Sequence, residues 1–475
     1  MGTVMHKIFK YLEIANAISQ KIKDGVFLPG DKLPSIRTVV KEYGVSMNTA
    51  TQSFMELERR NLVESRPQSG FYVKVQIRRQ FDEPGISNPS LKPGFADAAD
   101  LIDEVYASLN QPGITRFSLG VPDPSFLPVA KLNKCLLEAS RKMPDSGTSY
   151  EDIQGNKKLR NNIARWSFTW GSQLVADDLV STSGAMNAIS YCLLATMEKG
   201  DTLAVESPVY FGILQLAQSL GIRVLELPTH PGTGIEPGAL KKVIGKINAC
   251  LLVSNFNNPL GSCMPESHKM AVVNMLGEQG IPLIENDLYG DIYFGNARPK
   301  PCKAFDQGGT VLWCGSISKT LAPGYRVGWV APGKYLRKIT RLKLHHTVTN
   351  TGIIHEAVGN FIGSDNYEKH LRNLRKELYY NNLQISKTVS ASFPQGSQLV
   401  PPQGGYAMWI ALPGKINTAD LYHACMRENI SIAPGRMFSL QDQFNNCLRL
   451  NIGMKWTPEL EQKLIRVGHL AQTLL

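Results

Sequence analysis

The chain has 475 residues, 43% of them hydrophobic and 19% charged, with a formal net charge of +11. At roughly 100–200 residues per domain it is too long for a single core, and it is too apolar for a disordered chain. No apolar run reaches the ~18 residues of a membrane helix, and the opening "MGTVMHKIFKYLEIANAISQ" lacks a signal-peptide core and cleavage site, so a cytoplasmic protein with no membrane partner is expected.

The eight cysteines are scattered, with no C-x-x-C, and no H-E-x-x-H motif occurs. Free and mostly buried thiols are expected, without a structural metal. The charge is uneven. Residues 1–80 hold 13 Lys/Arg against 7 Asp/Glu, more than half of the net excess. A basic end module suits a polyanion partner; a merely soluble basic surface is the blander alternative.

Residues 6–24 place Ile8, Tyr11, Leu12, Ala15, Ile18 and Ile22 at helical spacing, ending near Gly25. After the turn-rich "FLPGDKLPS", Ser35 caps "IRTVVKEY", which stops at Gly44. Ser46 then caps "MNTATQSFMELERR". Two β-prone runs flank Pro67-Gln68-Ser69-Gly70 and predict a hairpin or wing. Residues 1–76 thus read as a winged helix-turn-helix. Its DNA-facing candidates are Ser35 and Arg37 at the start of one helix, Ser46, Asn48 and Thr49 at the start of the next, and Arg66 and Gly70 on the wing. Arg37 could reach a phosphate or a guanine edge, and Gly70 lets the wing backbone come close to a groove. Such patterns also occur as plain packing units, with Arg37 in a surface ion pair. Here the run "PGDKLPSIRTVVKEYGVSMNTATQSFMELERRNLVESRPQSGFYV" resembles the GntR family, and the resemblance implies binding to double-stranded DNA.

Residues 77–112, with "RRQFDEPGISNPSLKPGFAD", have a linker's composition, and "AADLIDEVYASL" reads as a short helix at the far side. From 113 to 475 the expected class is α/β. "DLVSTSG", "TLAVES", "ACLLVSNF", "IPLIEND" and "VLWCGSIS" are short apolar runs, several of them followed by helical patterns. This predicts a mostly parallel sheet with helices on both faces, and a smaller C-terminal α+β subdomain over about 350–475.

Ligands in such sheets bind beyond the carboxyl ends of the strands. Those ends carry Ser183-Gly184-Ala185, Glu206-Ser207-Pro208 with Tyr210, Asn255 to Gly261, Asn286-Asp287-Leu288-Tyr289, and Ser316-Ile317-Ser318-Lys319 with Arg326. A helix start at Gly184-Ala185 suits a phosphate, with Ser316, Ser318 and Arg326 completing the cradle. Asp287 suits a protonated pyridine nitrogen, Tyr210 an aromatic ring, and Asn258 with Tyr289 a ring hydroxyl. Lys319 beside cations can form a Schiff base with an aldehyde. Phosphate, pyridinium, hydroxyl and aldehyde together describe pyridoxal 5′-phosphate. Each motif alone is a common surface or turn feature, and it is their order that is specific.

In that order the motifs resemble fold-type I pyridoxal-phosphate aminotransferases. The resemblance implies that Lys319 is the aldimine lysine, with Asp287 and Tyr210 as its catalytic companions. It implies Tyr150, in "SYEDIQGNKKLR", as a residue reaching the phosphate of a head-to-tail partner in a homodimer. It further implies Arg449, in "CLRLNIG", Gly120, in "SLGVPDPSFLP", and Asn258 as the substrate side, with Arg449 clamping an α-carboxylate. Met186 and Leu260 depart from the common pattern. The joint arrangement resembles the MocR subfamily of bacterial regulators. This implies a transcription factor that holds the cofactor on Lys319 and senses an amino compound or the cofactor itself. An aminotransferase with a secondary DNA-binding domain, and a relic domain, are the alternatives.

Overall fold

The computed structural model describes residues 10–24, 26–27, 30–60, 62–66, 69–74, 81–94, 100–108, 111–295 and 297–475. They fall into two compact units, Met1–Gln80 with Leu383–Ala391, and Phe81–Asn382 with Ser392–Leu475. No helix among the described residues is long and apolar enough to cross a membrane.

The first unit contains the helices Lys10–Lys23, Ile36–Tyr43 and Met47–Arg59 and an antiparallel hairpin of Val63–Arg66 with Gly70–Val73. The expected caps form. Ser35 Oγ accepts from Thr38 N at 3.1 Å and Ser46 Oγ from Thr49 N at 3.1 Å. Gly44 closes the second helix at φ 61°, in the left-handed region. The first helix buries Ile14, Ala15, Ile18 and Ser19, while Tyr11 and Leu12 are only half-buried. Its inner face is therefore rotated from the expected stripe, and Ile14 is the residue that reading passed over. Ile8 and Gly25 lie outside the described residues. Ile14, Ile18, Val39, Ala50, Phe54, Leu57 and Val73 form one core, with Phe54 stacked on Phe71 at 4.5 Å.

The second unit is built on an eight-stranded sheet. Its spatial order is Val180–Thr182, Gly328–Ala331, Val311–Ser316, Leu283–Asn286, Ala249–Leu252, Thr202–Ser207, Arg223–His230 and Gly234–Ile235. Four successive pairings from Val311–Ser316 to Arg223–His230 are parallel; Gly328–Ala331 runs antiparallel to both its neighbours, as does Gly234–Ile235 to its one. Alternate residues of one strand face opposite layers. Leu203 and Val205 join the core under helix Ala185–Thr196, and Ala204 joins the core against helix Glu266–Glu278. This double burial explains the continuous apolar runs of the sequence. All eight cysteines are free and six are buried.

Two expected boundaries shift. Residues 81–94, expected as part of a linker, are bonded onto the second unit. Gly94 N donates to Val224 O at 2.9 Å and accepts back at its own O at 2.7 Å, and Ser90 N donates to Gln441 Oε1 at 2.7 Å. The short helix forms over Asp100–Ser108. The C-terminal sheet, ordered Gln398–Leu399, Ala407–Ala411, Cys447–Asn451, Ala433–Pro434, is antiparallel as an α+β part requires. However, Thr115–Arg116 pairs in parallel with Ile430–Ser431, so that part is completed by residues from the start of the large unit rather than by 350–475 alone.

Candidate functional site

The strand ends do meet. Gly184, at φ +92°, precedes helix Ala185–Thr196, and no side chain caps that helix. Its first N–H groups and the positive end of its dipole therefore face the mouth of the sheet. A Cβ on Gly184 would lie 2.4 Å from Arg326 Nη2, so the guanidinium rests directly on the turn. On the adjacent strand a Cβ on Gly328 would lie 2.6 Å from the Gly184 carbonyl carbon, so here the two backbones touch. Arg326 itself adopts φ 53° and donates to Ser318 Oγ at 3.3 Å and to Ser183 O at 3.4 Å. Ser316 Oγ donates to Ser318 Oγ at 2.8 Å. Helix end, guanidinium and hydroxyls make one cationic cradle.

Lys319 follows the strand Val311–Ser316. Its Nζ donates to Gly120 O at 2.5 Å, and Tyr406 OH donates to Lys319 O at 2.7 Å, which fixes the backbone. Burial, then the charges of Arg449 and Arg326, lower the amine from its ordinary value to about 8. A substantial neutral, nucleophilic fraction is thus present near neutrality. Arg449, on strand Cys447–Asn451, is buried. It donates through Nη1 to Asn258 Oδ1 at 3.0 Å and through Nη2 to Ser118 O. Its guanidinium lies 5.4 Å from the Phe438 ring centre. Tyr289 OH accepts from Asn258 Nδ2 at 3.5 Å, and burial above all pushes its phenol up to about 12, so it stays a hydrogen-bond donor.

A cavity of about 230 Å³ gathers Gly120, Ala185, Tyr210, Asn258, Tyr289, Ser316, Ser318, Lys319, Arg326 and Arg449 from separate parts of the chain. Met186 lines it as well, while Leu260 is buried and does not line it. Asp287 does not line this cavity. Its carboxylate sits behind it, against a second cavity of about 20 Å³ that shares Leu288 and Ser316 with the first. Tyr150 is 84% exposed and does not reach the cavity of its own chain.

Sequence reasoning placed Asn255 at a strand end but missed how Asp287 is held. Asp287 accepts from Asn255 Nδ2 at 3.1 Å, Trp313 Nε1 at 2.9 Å and Arg298 Nη2 at 2.5 Å. Burial favours its protonated form, but the charge and hydrogen bond of Arg298, with those of Trp313 and Asn255, outweigh it and hold the carboxyl below its ordinary range. Trp313 was legible as a strand residue one step from Cys314, which pairs with Asn286. Arg298 sits beyond the strand in the irregular "GNARPK", where no periodicity marks it.

In the first unit Arg37, Ser46 and Asn48 are exposed, Thr49 is half-buried, and Gly70 is exposed at φ +104°. The hydroxyls of Ser35 and Ser46 are engaged as caps and also pair with Thr38 Oγ1 and Thr49 Oγ1, each at 2.8 Å. They shape the helix starts more than they offer free donors. The Arg66 side chain, Pro67 and Gln68 lie outside the described residues.

Residues 115–466 match the aminotransferase class I and II family, and residues 10–73 match the gntR family of bacterial regulatory proteins. Two Escherichia coli (strain K12) proteins, the uncharacterized HTH-type transcriptional regulators YdcR and YjiR, are 33% and 32% identical to this chain. The matches cover 98% of this chain and 100% of YdcR, and 97% of this chain and 98% of YjiR. Among solved structures, the α-aminoadipate aminotransferase LysN of Thermus thermophilus, complexed with N-(5′-phosphopyridoxyl)-L-leucine, is 23% identical with a TM-score of 0.73. It matches over 79% of this chain and 95% of its own. At that identity the likeness shows the fold.

Proposed function

The chain belongs to the regulators that join a gntR-family domain to an aminotransferase class I and II domain, the MocR subfamily, and from that premise we propose a DNA-binding transcriptional regulator that carries pyridoxal 5′-phosphate and responds to an amino compound. Lys319 carries this reading. An amine lowered to about 8, bonded to Gly120 O and placed beside the Gly184–Arg326 cradle, is built to meet an aldehyde that bears a phosphate. When bound, the cofactor supplies that aldehyde and an electron-accepting ring. The residues present fit it: cationic cradle at one end, ionised Asp287 behind, and the Asn258–Tyr289 pair between Arg449 and the ring side.

Arg449 holds a carboxylate by two parallel donors, which selects an amino acid over a simple amine. The pocket walls Val105, Leu119, Val121 and Phe211 exclude water around the remainder of the ligand. A ligand moves the DNA-binding equilibrium only through different affinity for two arrangements of the protein. The exposed start of the Met47 helix, with Arg37, is the surface offered to the operator. A head-to-tail homodimer in the cytoplasm completes the proposal. The solvent-facing Tyr150, which does not line the Lys319 cavity of its own chain, supports it.

Purified protein is expected to be yellow, and Lys319→Ala to be colourless with its fold intact. A colourless wild type that takes up no added cofactor overturns the reading. The intact set of Lys319, Asp287 and Arg449 favours a second reading, amino-group transfer. Steady turnover of an amino acid with a keto acid at ordinary enzyme rates, with operator binding indifferent to amino compounds, selects that alternative.

A further inference from the structure

Asp287, which the cofactor reading sets against a ring nitrogen, is already bonded by three donors of its own chain. An ionised carboxylate offers about four acceptor positions. Three are filled here: Oδ2 by Arg298 Nη2 at 2.5 Å and Trp313 Nε1 at 2.9 Å, and Oδ1 by Asn255 Nδ2 at 3.1 Å. Arg298 is itself locked. Its side chain is 7% exposed, its Nε donates to Asp291 Oδ1 at 2.7 Å, its Nη1 donates to Pro299 O at 3.1 Å, and its guanidinium lies 5.5 Å from the Trp170 ring centre. Trp166 Nε1 holds both Asp291 oxygens at 3.2 Å. Gly290 makes room, since a Cβ there would lie 2.5 Å from both Arg298 Nη2 and Asp287 Oδ1.

We propose that Arg298 is a positioning residue for the ring-nitrogen end of the cofactor site, neutralising Asp287 so that this carboxylate offers the nitrogen one acceptor position of reduced proton affinity. The proposal rests on the cofactor reading above. A guanidinium in contact with a carboxylate stabilises the anion and weakens its pull on any other proton. The other charged groups around Asp287 do not undo this. Asp291 shares Arg298, Lys269 Nζ is bonded to Asn255 Oδ1 at 2.6 Å, and the Glu285 carboxyl, pushed up by burial and then by the Asp287 charge, is held by Ser254 Oγ, Cys302 N and Lys303 N. With a weakly held ring proton the site keeps its cofactor yet withdraws electrons from a bound amine less strongly. That suits retention and sensing over rapid turnover.

The test uses full-length protein loaded with ¹⁵N-labelled pyridoxal 5′-phosphate, with the ring ¹⁵N resonance followed over pH. In the wild type the nitrogen is expected to lose its proton within the pH range where the protein stays folded. In the charge-balanced pair Arg298→Met with Asp291→Asn, the same transition is expected at least one pH unit higher, about a tenfold gain in proton affinity, and Arg298→Lys should remain close to the wild type. A wild-type nitrogen that stays protonated throughout, or a paired variant that folds and titrates like the wild type, overturns the proposal. The wild-type arm needs no variant, so a failure of the pair to fold leaves the proposal decidable. Failure of the wild type to take up the labelled cofactor at all overturns the cofactor reading instead.

Discussion

In the first unit the bonds that shape the helix-turn-helix span three residues, Ser35 to Thr38 and Ser46 to Thr49. In the pocket they span 199 residues from Lys319 to Gly120, and 191 and 331 from Arg449 to Asn258 and Ser118. The first kind of site forms wherever its short segment is helical. The second exists only when the strands of the large unit and the C-terminal sheet are both in place. Damage should therefore stay local in one unit and spread through the other.

The sharpest test of that contrast is Phe54→Ala. Phe54 is fully buried and stacked on Phe71, and truncation of such a ring costs about 3–5 kcal/mol. Operator binding should be lost and the first unit should become sensitive to protease, while the absorbance of bound cofactor is unchanged. Loss of both together breaks the comparison. Gly184→Ala attacks the other side. A side chain at φ +92° and ψ 172°, a region essentially confined to glycine, costs roughly 1–3 kcal/mol, and its Cβ meets the Arg326 guanidinium. Cofactor affinity, read by absorbance titration, should fall at least about tenfold with the first unit's thermal transition unmoved.

A pH series probes the pocket alone. Only the neutral amine captures an aldehyde, and Lys319 is lowered from 10.5 to about 8. The rate of cofactor uptake by the cofactor-free protein should rise about tenfold per pH unit below that value and level off above it. A lysine with its ordinary value would go on gaining to well above pH 9. A rate still climbing there would mean that neither burial nor the charges of Arg449 and Arg326 lower this amine. The smallest effect belongs to Ser46→Ala, which removes one cap for about 1 kcal/mol. It should lower the first unit's stability and weaken operator binding by only a few-fold, with no change in cofactor titration.

The same contrast of spans decides what could be read from the sequence. The caps at Ser35 and Ser46 were legible because residue and partner lie within one helical turn. The polar strand ends were legible because each closes an apolar run buried on both faces, so Lys319, Asp287 and Arg326 could be placed at one mouth without knowing the strand order. Residues 81–94 read as linker because backbone bonds to Val224 and Thr229 and a glutamine from the far end of the chain hold them, and such bonds leave no apolar pattern. The pairing of Thr115–Arg116 with Ile430–Ser431 is hidden for the same reason. Arg298 was illegible because its meaning depends on two aspartates that it meets only after the loop has folded back.

The contact of Gly184 with Gly328 has a consequence for how such a chain can change over generations. Where two backbones already touch, there is no side chain to exchange for a slightly different one. A side chain at Gly328 runs into the Gly184 backbone, and one at Gly184 is strained at φ +92° and displaces the Arg326 guanidinium, so the phosphate end offers selection no gradual path. Divergence is pushed onto the pocket walls, where Val105, Leu119 and Val121 can be traded one for another without disturbing the cradle. A lineage built on this frame would keep its cofactor fixed while the molecule it answers to drifts.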